Sequence, residues 1–248
     1  MAAGEKAKRQ MKRLYARMAE EPAAFCPVGD HLQQAAALGY SAEEIERLPK
    51  GAWIGLGCGN PLLFAGLKAG ETVLDLGSGG GRDAFLAAHR VGRKGRVIGV
   101  DMTPEMVRKA EANAPEGGYE NVRFKVAEME QLPVESDSVD CVISNCVINH
   151  SPDQGAVFSE AFRVLKRGGR MVISDLVLEG ELSREVRRSL EGTSACLASS
   201  LERKQYLDAI RRVGFRDVTV VGERPFGWEG MDPRVAGKVT SVQVTAAK

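Results

Sequence analysis

Between residues 71 and 178 five short aliphatic and β-branched runs follow one another, and three of the four intervals between them carry the spacing of an amphipathic helix. The runs are ETVLDL (71–76), GRVIGVDM (95–102), VRFKVAEM (122–129), VDCVISNCV (139–147) and GGRMVISDLVL (168–178). The helical patterns are RDAFLAAHRVG (82–92), TPEMVRKAEANA (103–114), opened by Thr103 with Pro104 at its first position, and QGAVFSEAFRVLKRG (154–168). Strands joined by helical crossovers run parallel, and near-continuous apolar runs are covered on both faces. Two alternating runs, RDVTVVGE (216–223) and VTSVQVTAA (239–247), close the chain as an antiparallel pair. The expected fold is α/β: a doubly wound, mostly parallel seven-stranded sheet with helices on both faces and an antiparallel last strand.

One domain accounts for all 248 residues: a cap and loop over 1–70, a ligand-binding core over 71–178, and an insertion beside the site plus terminal strands over 179–248. Residues 3–20 read as a helix, and SAEEIERLPK (41–50) as a short one in which Ser41 and Glu44 have capping-box spacing. With 34 Lys and Arg against 33 Asp and Glu, the chain lacks the excess of positive charge that neutralises phosphates, which disfavours nucleic acid as a partner. The basic run EKAKRQMKRLYAR (5–17) is read as a solvated helix face. No apolar run is long enough to span a bilayer and the start resembles no secretory signal, so a cytoplasmic location is expected. Five cysteines (Cys26, Cys58, Cys141, Cys146 and Cys196) at scattered positions suit neither a disulfide framework nor a CxxC zinc site.

The segment VLDLGSGGG (73–81) carries the ligand chemistry. Asp75, Gly77, Gly79 and Gly81 stand two apart at the carboxyl end of the first strand, where an open parallel sheet receives its ligand. The GxGxxG form of a dinucleotide-binding loop fits badly, and a carboxylate beside the loop repels a pyrophosphate while suiting an ammonium group. Asp101, twenty positions after Gly81 at the end of the second strand, is placed to accept hydrogen bonds from both hydroxyls of a ribose. These two motifs at this interval resemble the class I S-adenosylmethionine-dependent methyltransferases over residues 70–178, which implies a Rossmann-like methyltransferase sheet. By that resemblance Asp75, Gly77, Gly79 and Gly81 would line the methionine part of S-adenosylmethionine, Asp101 and Met102 its ribose and adenine, and Glu128 and Met129 the adenine amino group. Asn145 would lie beside the amino-acid part.

Cys146 lies just past the apolar run of the fourth strand, flanked by Asn145 and Asn149, at the sheet edge that faces the transferable methyl in this fold class. Cys141, inside the run, reads as a small buried hydrophobe. Together with GAWIGLGCGNP (51–61), LEGTSACLASS (190–200), DMTPEM and SNCVIN, these stretches resemble the arsenite methyltransferase family over about residues 40–220. The resemblance implies that Cys58, Cys146 and Cys196 hold trivalent arsenic as substrate, that arsenite and methylarsenite are methylated in a detoxification reaction, and that a thiol, glutathione or thioredoxin, serves as cosubstrate. It further implies that the Cys58 position serves the first methylation while the other two handle both substrates. Cys26 would match an additional amino-terminal cysteine of many members, one able to pair with Cys58.

The chemistry agrees: trivalent arsenic is soft, thiolates hold soft centres, and the attacking lone pair bears no proton, so transfer needs positioning rather than a strong base. His150 departs from the family pattern and is either a packed side chain or a group that lowers a neighbouring thiol pKa. Ser199 and Ser200 stand where small apolar residues are usual, and the chain ends without the carboxyl-terminal extension of many members. The alternatives are a methyltransferase for a small organic acceptor, such as a quinone or lipid head group, and a non-catalytic metalloid- or donor-binding protein. The glycines around Cys58 predict a loop that stays open until arsenic is bound, with Cys58 far from Cys146 in its absence.

Overall fold

The computed structural model describes residues 3–21, 31–190, 195–227 and 231–248; Cys26, and with it any pairing to Cys58, lies outside the described residues. Seven strands form one sheet: β1 (Thr72–Leu76), β2 (Arg96–Asp101), β3 (Val122–Val126), β4 (Val139–Asn145), β5 (Leu165–Leu178), β6 (Arg216–Pro225) and β7 (Val239–Ala247). Their order is β3-β2-β1-β4-β5-β7-β6. β1 to β5 pair in parallel, and β7 runs antiparallel between β5 and β6. The fold is therefore the expected Rossmann-like α/β sheet with an antiparallel last strand.

Side-chain alternation along each strand feeds two separate apolar layers. Val73, Cys141, Ile143 and Val172 point into a core with Phe85 and Val91 of α5 (Arg82–Val91) and Val107 and Ala110 of α6 (Pro104–Glu116). Leu74, Leu76, Val142 and Ile173 point the other way, against Phe158 and Ala161 of α7 (Gln154–Val164) and Tyr206 and Ile210 of α10 (Arg203–Val213). Cys141 is fully buried, and burial pushes its thiol up to about 12, so it behaves as the small hydrophobe expected. A third cluster caps the carboxyl edge of β5, joining Leu176 and Leu178 to α8 (Arg184–Leu190) and α9 (Ala195–Ser199), with Cys58 inside it and Cys146 and Cys196 against it.

Shorter elements precede the sheet: α1 (Ala3–Glu20), α2 (His31–Leu38), α3 (Ala42–Glu46) and α4 (Leu62–Ala65). Ser41 and Glu44 form the expected capping box, yet that helix stops at Glu46 rather than reaching residue 50. The helix read over 154–168 also ends early, at Val164. Leu165 is already extended (ψ 137°) and pairs with Val139, so β5 starts before the glycines. α1 is not simply a solvated face: Met11 and Ala19 are buried and the helix packs on α6. No helix among the described residues is long and apolar enough to cross a membrane.

Candidate functional site

The loop after β1 turns back on itself because two glycines take backbone conformations that cost other residues energy. Gly77 has φ 69° and Gly79 φ 51°, and a Cβ on Gly77 would come within 2.6–2.8 Å of Val147 side-chain atoms. Amides of Gly77 and Ser78 donate to the carbonyl of Val100 at 2.8 and 2.9 Å, tying the loop to the end of β2. Asp101 is then fixed from two sides: Gly79 N–H donates to Oδ2 at 3.0 Å and Thr103 N–H to Oδ1 at 2.8 Å. Burial raises its carboxyl above the ordinary value, and those two amides pull it partly back. Ser78 Oγ is buried without a hydrogen-bond partner.

A cavity opens in front of this loop. Of the residues expected at the site, Gly77, Gly79, Asp101, Met102, Glu128, Met129, Asn145, Cys146 and Cys196 line it together. Three do not. Gly81 is buried as the residue before α5. Asp75, on a strand residue that points into the core, is 2 % exposed beside Asp83 and Arg82, with one carboxylate oxygen unpaired; burial drives its carboxyl well upward. The third is Cys58, fully buried behind the wall.

Beneath the cavity lies a polar frame that sequence reasoning missed. Asn145 Nδ2 donates to Tyr40 Oη (3.0 Å), the Gly59 carbonyl (2.7 Å) and Asp83 Oδ2 (3.1 Å), while Asn145 Oδ1 accepts from Cys58 N–H at 3.1 Å. Tyr40 in turn donates to Asp83 Oδ1 at 2.5 Å. Arg82 pairs with Asp83 at 3.0 Å and lies over the rings of Tyr40 and Trp53 at 4.7 and 5.0 Å. The Cys58 carbonyl accepts from Ser241 Oγ (2.5 Å) and Arg224 Nη2 (2.7 Å). The loop around Cys58 is thus anchored at both backbone groups, and its thiol stands beside that of Cys146.

Cys146 follows β4 with φ 62°, and its N–H donates to the Ser174 carbonyl at 2.7 Å. Its Sγ, that of Cys58 and a carboxylate oxygen of Asp175 lie within 4.8 Å of one another. A hydrogen bond with Cys196 draws the Cys146 thiol down, but its bond with Cys58 and burial outweigh this and hold it well above the ordinary thiol value. The bond to Cys146 and burial raise Cys196 likewise. Both thiols are therefore protonated at neutral pH. Asp175 is fully buried and burial lifts its carboxyl to about 7. The pair SD in VISDLVL, polar within an apolar strand, was the sequence signal for it.

α1 roofs the cavity. Lys8 pairs with Glu128 and, at 2.9 Å, with Glu130. Tyr15 hydrogen-bonds His150 Nε2 at 3.0 Å, and its phenol is pushed up chiefly by burial, then by the neighbouring Cys146 and Cys196 thiols. Burial lowers His150 to about 4, so the ring is neutral and supplies no cation to a thiol. Ser200 spends its hydroxyl on the Cys196 carbonyl at 2.7 Å and Ser199 is exposed, so neither lines the cavity.

A family model described as a methyltransferase domain matches residues 67–214. The arsenite methyltransferase of Halobacterium salinarum is 45 % identical over 183 residues, covering 74 % of this chain and 47 % of that protein. The arsenite methyltransferase of Homo sapiens is 39 % identical over 152 residues, covering 58 % of this chain and 40 % of that protein. The chain thus spans about half the length of the curated relatives it matches. Among solved structures, CrArsM, an arsenic(III) S-adenosylmethionine methyltransferase from Chlamydomonas reinhardtii, matches with a TM-score of 0.71 and 37 % identity, covering 87 % of this chain and 73 % of that one.

Proposed function

The chain belongs to the arsenite methyltransferase family, and from this premise we propose that it transfers methyl groups from S-adenosylmethionine to trivalent arsenic held on its own cysteines. The observation that carries the proposal is a single cavity wall bearing the glycine loop and Asp101 at one end and Cys146 and Cys196 at the other, with Cys58 behind Cys146. The unpaired Ser78 hydroxyl and the Cβ-free surface at Gly77 and Gly79 fit a polar ligand pressed close to the backbone. Gly77, Gly79, Asp101, Met102, Glu128, Met129 and Asn145 are the residues we assign to hold the donor, with Gly81 shaping the loop and Asp75 acting from behind the wall. The donor supplies an electrophilic methyl on a sulfonium.

The protein's part is to present the acceptor. Thiols suit that task, because arsenous acid exchanges its hydroxyls for thiols with release of water: As(OH)3 + 3 RSH gives As(SR)3 + 3 H2O, with no net proton change. Cys58, Cys146 and Cys196 then leave the arsenic lone pair as nucleophile, and no general base is required. A neutral His150 and a protonated Tyr15 close the roof without adding charge. Two thiols on the cavity wall and a third behind them argue against a quinone or lipid acceptor, which gives no role to them. We take glutathione or thioredoxin as the thiol cosubstrate and the cytoplasm as the place of reaction, where thiols stay reduced.

Incubating the purified chain with methyl-labelled donor, arsenite and a thiol should yield labelled methylarsenicals. Label appearing only on an organic acceptor, or no transfer at all, would reject the reading. Cys58→Ser should spare methylation of methylarsenite more than that of arsenite, measured as separate initial rates.

A further inference from the structure

Within the acceptor region the described residues present two different sets of ligand atoms. One is the three thiols. The other is tighter: Cys58 Sγ, Cys146 Sγ and an oxygen of Asp175, mutually within 4.8 Å, a group in which Cys196 has no part. Asp175 is 1 % exposed. Its Oδ1 accepts from Asn149 Nδ2 and Leu176 N–H, both at 2.8 Å, and its Oδ2 from Tyr206 Oη at 3.0 Å. All three donors are neutral, and among the described residues no Lys, Arg or His forms an ion pair with this carboxylate. Buried carboxylates are ordinarily paired with a cation or bound to a metal.

We propose that the protein binds a divalent d10 cation, zinc foremost and cadmium by the same chemistry, through Cys58, Cys146 and Asp175. Sulfur and oxygen ligands at ~2.3 and ~2.1 Å in a tetrahedron require the observed group to contract by about an ångström, within the reach of side-chain rotation. Asn149 and Tyr206 orient the carboxylate as outer partners, leaving a lone pair on Oδ2 for the metal. Binding by the ionised carboxylate releases two thiol protons: Zn2+ plus two RSH and one carboxylate gives the complex and 2 H+. Water fills the fourth position. Trivalent arsenic uses Cys58 and Cys146 as well but takes Cys196 as its third ligand, so the two exclude one another. That exclusion rests on the arsenic reading, whereas cation binding does not.

The test uses the full chain, reduced and freed of metal. Zinc affinity is measured by competition with a chromophoric chelator, and cobalt is used as a spectroscopic stand-in. One equivalent should bind, and cobalt should show a thiolate charge-transfer band with the intense ligand-field bands of a tetrahedral site. Asp175→Asn should weaken zinc binding by ~10-fold or more and leave arsenite affinity little changed, and Tyr206→Phe, which keeps the carboxylate, should weaken zinc by a smaller factor. Cys196→Ser should do the reverse, sparing the cobalt spectrum and losing arsenite. Arsenite added to the cobalt form should bleach the charge-transfer band. Absence of zinc binding, or zinc affinity that ignores Asp175→Asn and Tyr206→Phe, overturns the proposal. If cobalt binds as described while arsenite binds nowhere, the cation site stands and the arsenic reading is the one that fails.

Discussion

Gly79 and Asp101 are separated by 22 positions and meet through one hydrogen bond from amide to carboxylate, whereas Cys58 reaches Asn145 across 87 positions and Ser241 across 183. The donor side of the cavity is a product of two neighbouring strand ends and the loops that leave them. The other end gathers a loop before the sheet, the end of β4 and a helix after β5, and the buried frame of Tyr40, Asp83, Arg82 and Asn145, with Ser241 and Arg224, holds the Cys58 loop against the end of β4. Local geometry therefore sets the glycine-loop end of the cavity, and long-range hydrogen bonding sets where Cys58 stands.

Three substitutions test this division. The largest effect is expected for Cys146→Ser: arsenite methylation should fall by on the order of 100-fold or more, since the acceptor loses its central ligand, while donor affinity by calorimetry stays unchanged. A parallel loss of donor affinity would show that the two sides are not separable. Next is Asp101→Ala, which should weaken donor binding by about 1–3 kcal/mol, read in the same calorimetric titration, with arsenite binding preserved. The smallest is Tyr40→Phe, which leaves Asp83 and Asn145 each short of a buried partner. Unfolding in denaturant should show a loss of ~1–2 kcal/mol, and the methylation rate should drop more than donor affinity does. Equal effects on both would deny the frame its acceptor-side role.

The same contrast explains what could be read from sequence. The sheet was legible because each strand and helix advertises its own period, and the Gly77–Asp101 pair because both members lie at strand ends. The α7–β5 boundary was misread since Leu165, Lys166 and Arg167 continue a helical pattern up to Gly168, and only pairing with Val139 shows that the strand has begun. In α1 the charged residues drew attention from Met11, Tyr15 and Ala19, whose four-residue spacing puts them on one face. Tyr40 and Asp175 carry no periodic signal: each is one polar side chain whose partners, Asp83 and Tyr206, are chosen by the tertiary fold. Cys58 and Cys196 were joined to Cys146 as proposed acceptor ligands by resemblance, because no spacing links positions 58, 146 and 196.

Cys146 sits at φ 62°, a conformation that costs a residue bearing a Cβ about 1–2 kcal/mol and costs glycine almost nothing. In the currency of mutational drift, the backbone at this turn solicits glycine. A screen that rewards thermal resistance alone would reward Cys146→Gly and return a sturdier, inert sheet. Selection for thermostability in this scaffold must therefore be counter-screened at one codon, that of the proposed acceptor ligand Cys146.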